Sequence, residues 1–171
     1  MTNADNANDL FHEAMSELMN SNFEKSMALL TASLENDATD KLAYIGRGSV
    51  FMKLNQASEA IEDFNKALEI DPNYPKALHL RGLAREKLGE DDLAKADFDR
   101  AIELDPDYGA AYYSRATLLT KLGQADLALE DMGIVTHLTN RNIEEFANNN
   151  NVWRSHHLKL ESMGVASEME R

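Results

Sequence analysis

The chain has 171 residues, no cysteine, and a formal charge of −13 from 30 acidic against 17 basic side chains. Those numbers exclude disulfides, thiolate catalysis and cysteine-held metals, and they oppose binding to nucleic acid or to an anionic membrane, both of which need clustered lysine and arginine. A hydrophobic content of 43% with only three prolines and eight glycines favours a core-forming, all-α chain.

Residues 1–6 show no basic region leading into an apolar run, and no apolar run in the chain approaches the ~20 residues of a membrane span. A frayed N-terminal tail and a cytoplasmic location are expected. From residue 7 onward the chain divides into units of 34 residues. The first, 7–40, is divergent, with Leu10, Ala14, Ser26, Leu30 and Ser33 in the repeating positions and Asn22 with Phe23 at its turn. The units 41–74, 75–108 and 109–142 match one another column by column. Arginine recurs at Arg47, Arg81 and Arg115, lysine at Lys53, Lys87 and Lys121, and alanine at Ala60, Ala94 and Ala128. Aspartate recurs at Asp63, Asp97 and Asp131, and a large apolar residue at Phe64, Phe98 and Met132. A fixed period of this length marks stacked supersecondary units, each burying its neighbour's apolar face.

Each unit predicts two antiparallel helices. The first ends near Asn55, Gly89 or Gly123, residue types that accept the left-handed conformation of a helix C-terminus. The second ends at Asp71-Pro72 or Asp105-Pro106, because proline disfavours helical geometry in the residue before it. Gly48, Gly82 and Ala116 are expected to face Ala60, Ala94 and Ala128 and so let the paired helices approach closely. After residue 142 the pattern changes. Asn142 with Glu145 reads as a capping box, and Ile143, Phe146, Asn150, Trp153, His157 and Leu160 share one helical stripe. A capping helix over 143–164 is expected, as one piece or split in two at the asparagine run 148–151, followed by a tail at 165–171.

These columns resemble the tetratricopeptide repeat family. The second unit carries its pattern as Tyr44, Gly48, Phe51, Ala60, Phe64, Ala67 and Pro72. The third carries it as Leu78, Gly82, Ala94, Phe98, Ala101 and Pro106, with Arg85 in place of an aromatic. The fourth has Tyr112, Ala116, Leu119, Ala128, Met132 and Val135, with Asn140 where the proline would stand. The resemblance implies a right-handed α-solenoid of helix-turn-helix repeats that binds other proteins, needs no cofactor and performs no catalysis.

In that family the first helix of each unit lines a concave groove. The positions that carry over are Phe11, Met15 and Met19; Leu42, Ile45, Ser49, Met52 and Lys53; Lys76, His79, Leu83, Glu86 and Lys87; and Tyr113, Thr117, Thr120 and Lys121. Such a wall would be apolar near its N-terminal end and basic along one rail, suited to orienting an acidic peptide, although lysines on a helix are equally a solvated face. A branch of the family clamps the C-terminal carboxylate of heat-shock chaperones with lysine, asparagine and arginine. Here the corresponding positions are Phe11, Met15, Gly46, Lys76 and Leu80, or in the next register Ile45, Ser49, Leu80, Ala110 and Ser114, so only Lys76 fits. The arginine column reads as structural: each arginine precedes an aspartate by 16 residues, symmetric about the turn, which pairs Arg47 with Asp63, Arg81 with Asp97 and Arg115 with Asp131.

Enzyme chemistry has no visible constellation. His12, His79 and His137 lie in different elements, the adjacent His156 and His157 point apart on a helix, and His157 with Glu161 offers too few ligands for a metal. An interaction scaffold or adaptor is therefore the expected function. A small acidic secretion or assembly chaperone, or a scaffold that self-assembles through its repeat ends, are the alternatives.

Overall fold

The computed structural model describes residues 3–149 and contains, among them, eight helices and no strand. They are α1 (Asn3–Met19), α2 (Phe23–Asn36), α3 (Lys41–Lys53), α4 (Ala57–Ile70), α5 (Pro75–Lys87), α6 (Asp91–Leu104), α7 (Gly109–Lys121) and α8 (Ala125–Asn149). Consecutive helices pack as antiparallel hairpins, and each hairpin stacks on the next. Odd-numbered helices also touch the odd helix of the following hairpin, whereas even-numbered helices do not touch one another. The stack therefore curves, with α1, α3, α5 and α7 forming its inner wall.

The turns obey the 34-residue period. Ser21, Asn55, Gly89 and Gly123 take φ of 62°, 61°, 77° and 76°, and the amide after each donates to a carbonyl five residues back, closing the first helix of its hairpin. In the first unit the sequence placed this turn at Asn22 and Phe23. The left-handed residue is Ser21, and Asn22 is already the N-cap of α2. Residues 3–6 likewise belong to α1 rather than to a tail, and the Asn6 side chain donates to Asn36 Oδ1 at 3.3 Å.

The second helix of each hairpin stops at another periodic position. Asp37, Asp71 and Asp105 leave helical geometry, and their carboxylates accept the amides of Thr39, Asn73 and Asp107 at 2.9, 3.2 and 3.0 Å. That local bond competes with helix continuation. The fourth residue of the column is Thr139, whose hydroxyl donates to the Val135 carbonyl within the helix at 2.8 Å, and no proline follows. Hence α8 runs unbroken past Asn142 to Asn149. The expected capping box at Asn142 does not form, and residues 143–149 extend α8. Residues 150–164 of the expected capping helix, and the tail 165–171, lie outside the described residues.

Packing inside each hairpin depends on one close approach. Gly48 and Gly82 pack against the rings of Phe64 and Phe98. A Cβ on either glycine would stand 2.6 or 2.5 Å from the phenylalanine ring. Both rings are fully buried. In the fourth unit alanine replaces the glycine at Ala116 and methionine the phenylalanine at Met132, an exchange in which the smaller, flexible partner accompanies the larger one. In the first unit Ser26 and Ser33 occupy alanine columns, and their hydroxyls donate to the Ala14 and Ala7 carbonyls at 2.9 and 2.8 Å.

Gly82→Ala should lower the unfolding free energy by ~1–3 kcal/mol through overpacking. The same substitution in a Phe98→Met background should cost less, giving a measurable coupling in a urea-denaturation double-mutant cycle. Ser21→Gly, which removes the penalty of a side chain at positive φ, should raise stability by roughly 1 kcal/mol in the same assay.

Candidate functional site

The inner wall is held by the arginine column. Arg47 donates from Nε and Nη2 to both carboxylate oxygens of Asp63 at 2.8 and 2.7 Å, Arg81 to Asp97 at 2.9 and 2.6 Å, and Arg115 to Asp131 at 2.8 and 2.6 Å. The remaining Nη1 of each reaches back to the preceding hairpin, to Thr31, Asn65 and Asp99 at 3.4, 2.7 and 2.7 Å. One guanidinium thus ties three helices, and the Asp63, Asp97 and Asp131 carboxylates are buried. Burial pushes the Asp99 carboxyl up, but hydrogen bonds from Lys95 and Arg115 outweigh it and leave the group below its ordinary value. Arg85, which departs from the repeat pattern, adds a second arginine to Asp97 at 2.8 Å.

With the backbone so fixed, α3, α5 and α7 present two adjoining hollows. One, of about 520 Å³, is lined by Ser49, Met52, Lys53, Asn55, Leu80, Leu83 and Lys87. The other, of about 560 Å³, is lined by Met52, Leu83, Glu86, Lys87 and Lys121. Met52, Leu83 and Lys87 belong to both, so the two form one groove with an apolar floor and a basic edge. Lys87 donates to Asn55 Oδ1 at 3.1 Å and Lys121 to Asp91 at 2.7 Å, while Lys53 has no such contact among the described residues. Burial, reinforced by Asp91 and opposed by Lys121, raises the Glu86 pKa above the usual carboxylate value.

Of the residues expected from sequence, Ser49, Met52, Lys53, Leu83, Glu86, Lys87 and Lys121 meet here. Phe11, Met15, Met19, Leu42, Lys76, Tyr113, Thr117 and Thr120 line neither hollow. Met15 and Phe11 are half-buried, and the Met15 sulfur lies in van der Waals range of a Cβ built at Gly46. Met19, Leu42, Lys76, Tyr113, Thr117 and Thr120 are exposed. Ile45 and His79 correct the sequence reading, because both are buried. Ile45 packs in a cluster with Ala67, Ala77 and Leu78. His79 is held by Tyr108 Oη at 3.1 Å and Ser114 Oγ at 2.9 Å. They share one register position, and in each case the following hairpin covers it. Leu80 and Asn55 are groove residues the sequence reading missed. Leu80 stands one helical turn before Leu83, a spacing that could have marked it, but its column also holds Gly46 and Ser114 and so shows no pattern.

Burial lowers the His79 pKa from about 6.5 to about 4. Among the described residues no three histidine, aspartate or glutamate side chains gather as metal ligands would, and no helix is long and apolar enough to cross a membrane.

Stacked helical hairpins with a curved inner wall define an α-solenoid repeat protein. Models described as TPR repeat and tetratricopeptide repeat match residues 48–89, 75–108 and 98–130. The chain belongs to the tetratricopeptide repeat family. It is 37% identical over 73 residues to a FAM10 family protein of Arabidopsis thaliana, a match covering 43% of this chain and 17% of that protein. The curated relatives are thus far longer than the stretch they share with it. A crystal structure of MamA superposes with a TM-score of 0.74 at 20% identity, covering 81% of each chain. The first TPR of Spaghetti (RPAP3), bound to the HSP90 peptide SRMEEVD, superposes with a TM-score of 0.69 at 23% identity, covering 71% of this chain and 97% of that one.

Two stability measurements test the inner wall. Arg47→Ala should cost about 3 kcal/mol by leaving the Asp63 carboxylate buried without its arginine, and Arg81→Ala should cost less, because Arg85 still binds Asp97. Since His79 is kept neutral by the fold, its contribution to stability is complete above pH ~6.5. As the pH falls toward 4 that contribution is lost, by at most about 3 kcal/mol. His79→Gln should flatten that part of the stability profile relative to the parent chain.

Proposed function

We propose that this protein is a non-catalytic interaction scaffold that holds an acidic, apolar-anchored peptide segment of a partner protein in the groove between α3, α5 and α7. The observation that carries this reading is the juxtaposition of an apolar floor, Met52, Leu80 and Leu83, with Lys53, Lys87 and Lys121 along one edge of a chain whose net charge is −13. The apolar floor supplies affinity by burying a side chain of the guest. The lysines orient its carboxylates and attract it toward a basic strip on an acidic protein. Because the arginine ties hold the wall in place beforehand, the cost of ordering falls mainly on the peptide.

Support of a general kind comes from RPAP3, whose repeat domain is bound to a peptide ending Glu-Glu-Val-Asp. The positions that would clamp such a terminus are Phe11, Met15, Gly46, Lys76 and Leu80 here, so the reading commits to an internal acidic segment rather than a chaperone C-terminus. A tethered set of peptides that alternate apolar and acidic residues is the probe. Replacing Lys53, Lys87 and Lys121 together by glutamate should weaken the best binder roughly tenfold to a hundredfold at low salt, at 0.2–1 kcal/mol or slightly more per exposed pair, with helical content retained. Equal affinity of parent and variant at low salt would remove the basic edge from the proposal.

A further inference from the structure

The charged side chains that line the groove are not equally occupied. Lys87 donates to Asn55 Oδ1 at 3.1 Å and Lys121 to Asp91 at 2.7 Å. Among the described residues, Lys53 and Glu86 make neither an ion pair nor a side-chain hydrogen bond. Lys53 lines only the hollow that contains Ser49 and Leu80, and Glu86 only the hollow that contains Lys121, whereas Met52 and Leu83 lie in both. An unpaired cation and an unpaired carboxylate therefore stand on opposite sides of one apolar floor.

Glu86 is the less expected of the two. Its column holds Met52 in the hairpin before and Thr120 in the hairpin after, so a carboxylate interrupts an otherwise uncharged position. The residues three and four places away along the chain, where a basic side chain would pair with a helical glutamate, are Gly82, Leu83, Gly89 and Glu90. Arg85 is turned away to Asp97 at 2.8 Å. Burial has the largest effect on the Glu86 carboxyl and raises its pKa above the usual value. Lys121 opposes that rise and Asp91 adds to it. A move of Lys121 toward Glu86 would give up its contact with Asp91. The Glu86 side chain is only half-buried, so solvent reaches the carboxylate in the open groove. A guest seated on Met52 and Leu83 excludes that solvent, and covering an ionised carboxylate without a donor is strongly unfavourable.

We propose that Glu86 selects the guest by pairing with a lysine or arginine that the bound segment carries beside its apolar anchor, on the far side of that anchor from the acidic residue held by Lys53. This rests on the groove being the peptide site, and it narrows the class of guest. The segment is acidic overall, as steering toward the lysines requires, and it presents an acidic, an apolar and a basic side chain in that order across the groove. A guest with a carboxylate in the third place meets Glu86 directly and is repelled.

The probe is a set of net-acidic peptides with a glutamate and a leucine fixed and the position on the other side of the leucine filled by arginine, glutamine or glutamate. Each is made in both chain directions. With the full chain at low salt, the arginine peptide should bind roughly tenfold or more tighter than the other two, as a charge-assisted hydrogen bond allows. Glu86→Gln, which keeps the shape of the side chain, should remove most of that preference with helical content retained. Glu86→Lys should reverse it in favour of the glutamate peptide. Glu90→Gln makes the same change in net charge at an exposed position that lines neither hollow, and it should leave the order of the three peptides as in the parent chain. An order unaffected by Glu86→Lys would overturn the role of Glu86 while leaving the groove as the peptide site. An equal loss of preference in Glu86→Gln and Glu90→Gln would do the same, by assigning the preference to overall charge. Failure of every peptide to bind would overturn the groove reading and this inference together.

Discussion

The structure depends on an arginine that serves three helices at once. Each of Arg47, Arg81 and Arg115 binds an aspartate of its own hairpin bidentately and extends its last donor to the hairpin before it. A planar guanidinium with donors on two edges can do this, and a lysine ammonium cannot. Antiparallel pairing within a hairpin could be satisfied at several rotations. The third contact selects the one in which successive hairpins share a fixed offset, and so the curvature of the wall follows from a side-chain geometry repeated three times. The ladder also has ends: in its first rung the acceptor is a threonine hydroxyl, at 3.4 Å, and the position that would receive a fourth arginine is Gly133.

Charge is thereby divided between two tasks. The buried aspartates are consumed in holding the stack, and among the described residues no buried side-chain nitrogen or oxygen lacks a hydrogen-bond partner. The lysines of the next column stay at the surface, where they border the apolar floor made by Met52, Leu80 and Leu83. Arg85 and Lys87, two residues apart on α5, show the separation clearly. Arg85 turns outward from the groove to Asp97, whereas Lys87 lies along the groove edge against Asn55. The groove is a consequence of the stacking rather than a feature added to it.

The repeating columns were legible because each reports a local requirement. A left-handed turn favours glycine or asparagine, Asp-Pro stops a helix, and a buried carboxylate is met by a cation 16 residues away across the turn. The residues misread from sequence are those whose environment comes from a neighbour. Ile45 and His79 stand on the groove-facing helix by register, yet the next hairpin covers them. Gly48 and Gly82 stand against a phenylalanine ring that the sequence reading did not place beside them. Asn142 has the chemistry of a helix start, but with neither aspartate nor proline at positions 139 and 140 the preceding helix does not stop there.

What the amino-acid order determined by itself, then, was the period, the hairpin within each period and the arginine–aspartate pairing, because each is encoded by residues close in sequence or mirrored about a turn. Only the tertiary structure decided which members of a column are covered and which are open. That outcome depends on whether another hairpin follows, so residues in one register position, Ile45, His79 and Tyr113, end in a core, in a buried hydrogen-bond network and at an exposed face.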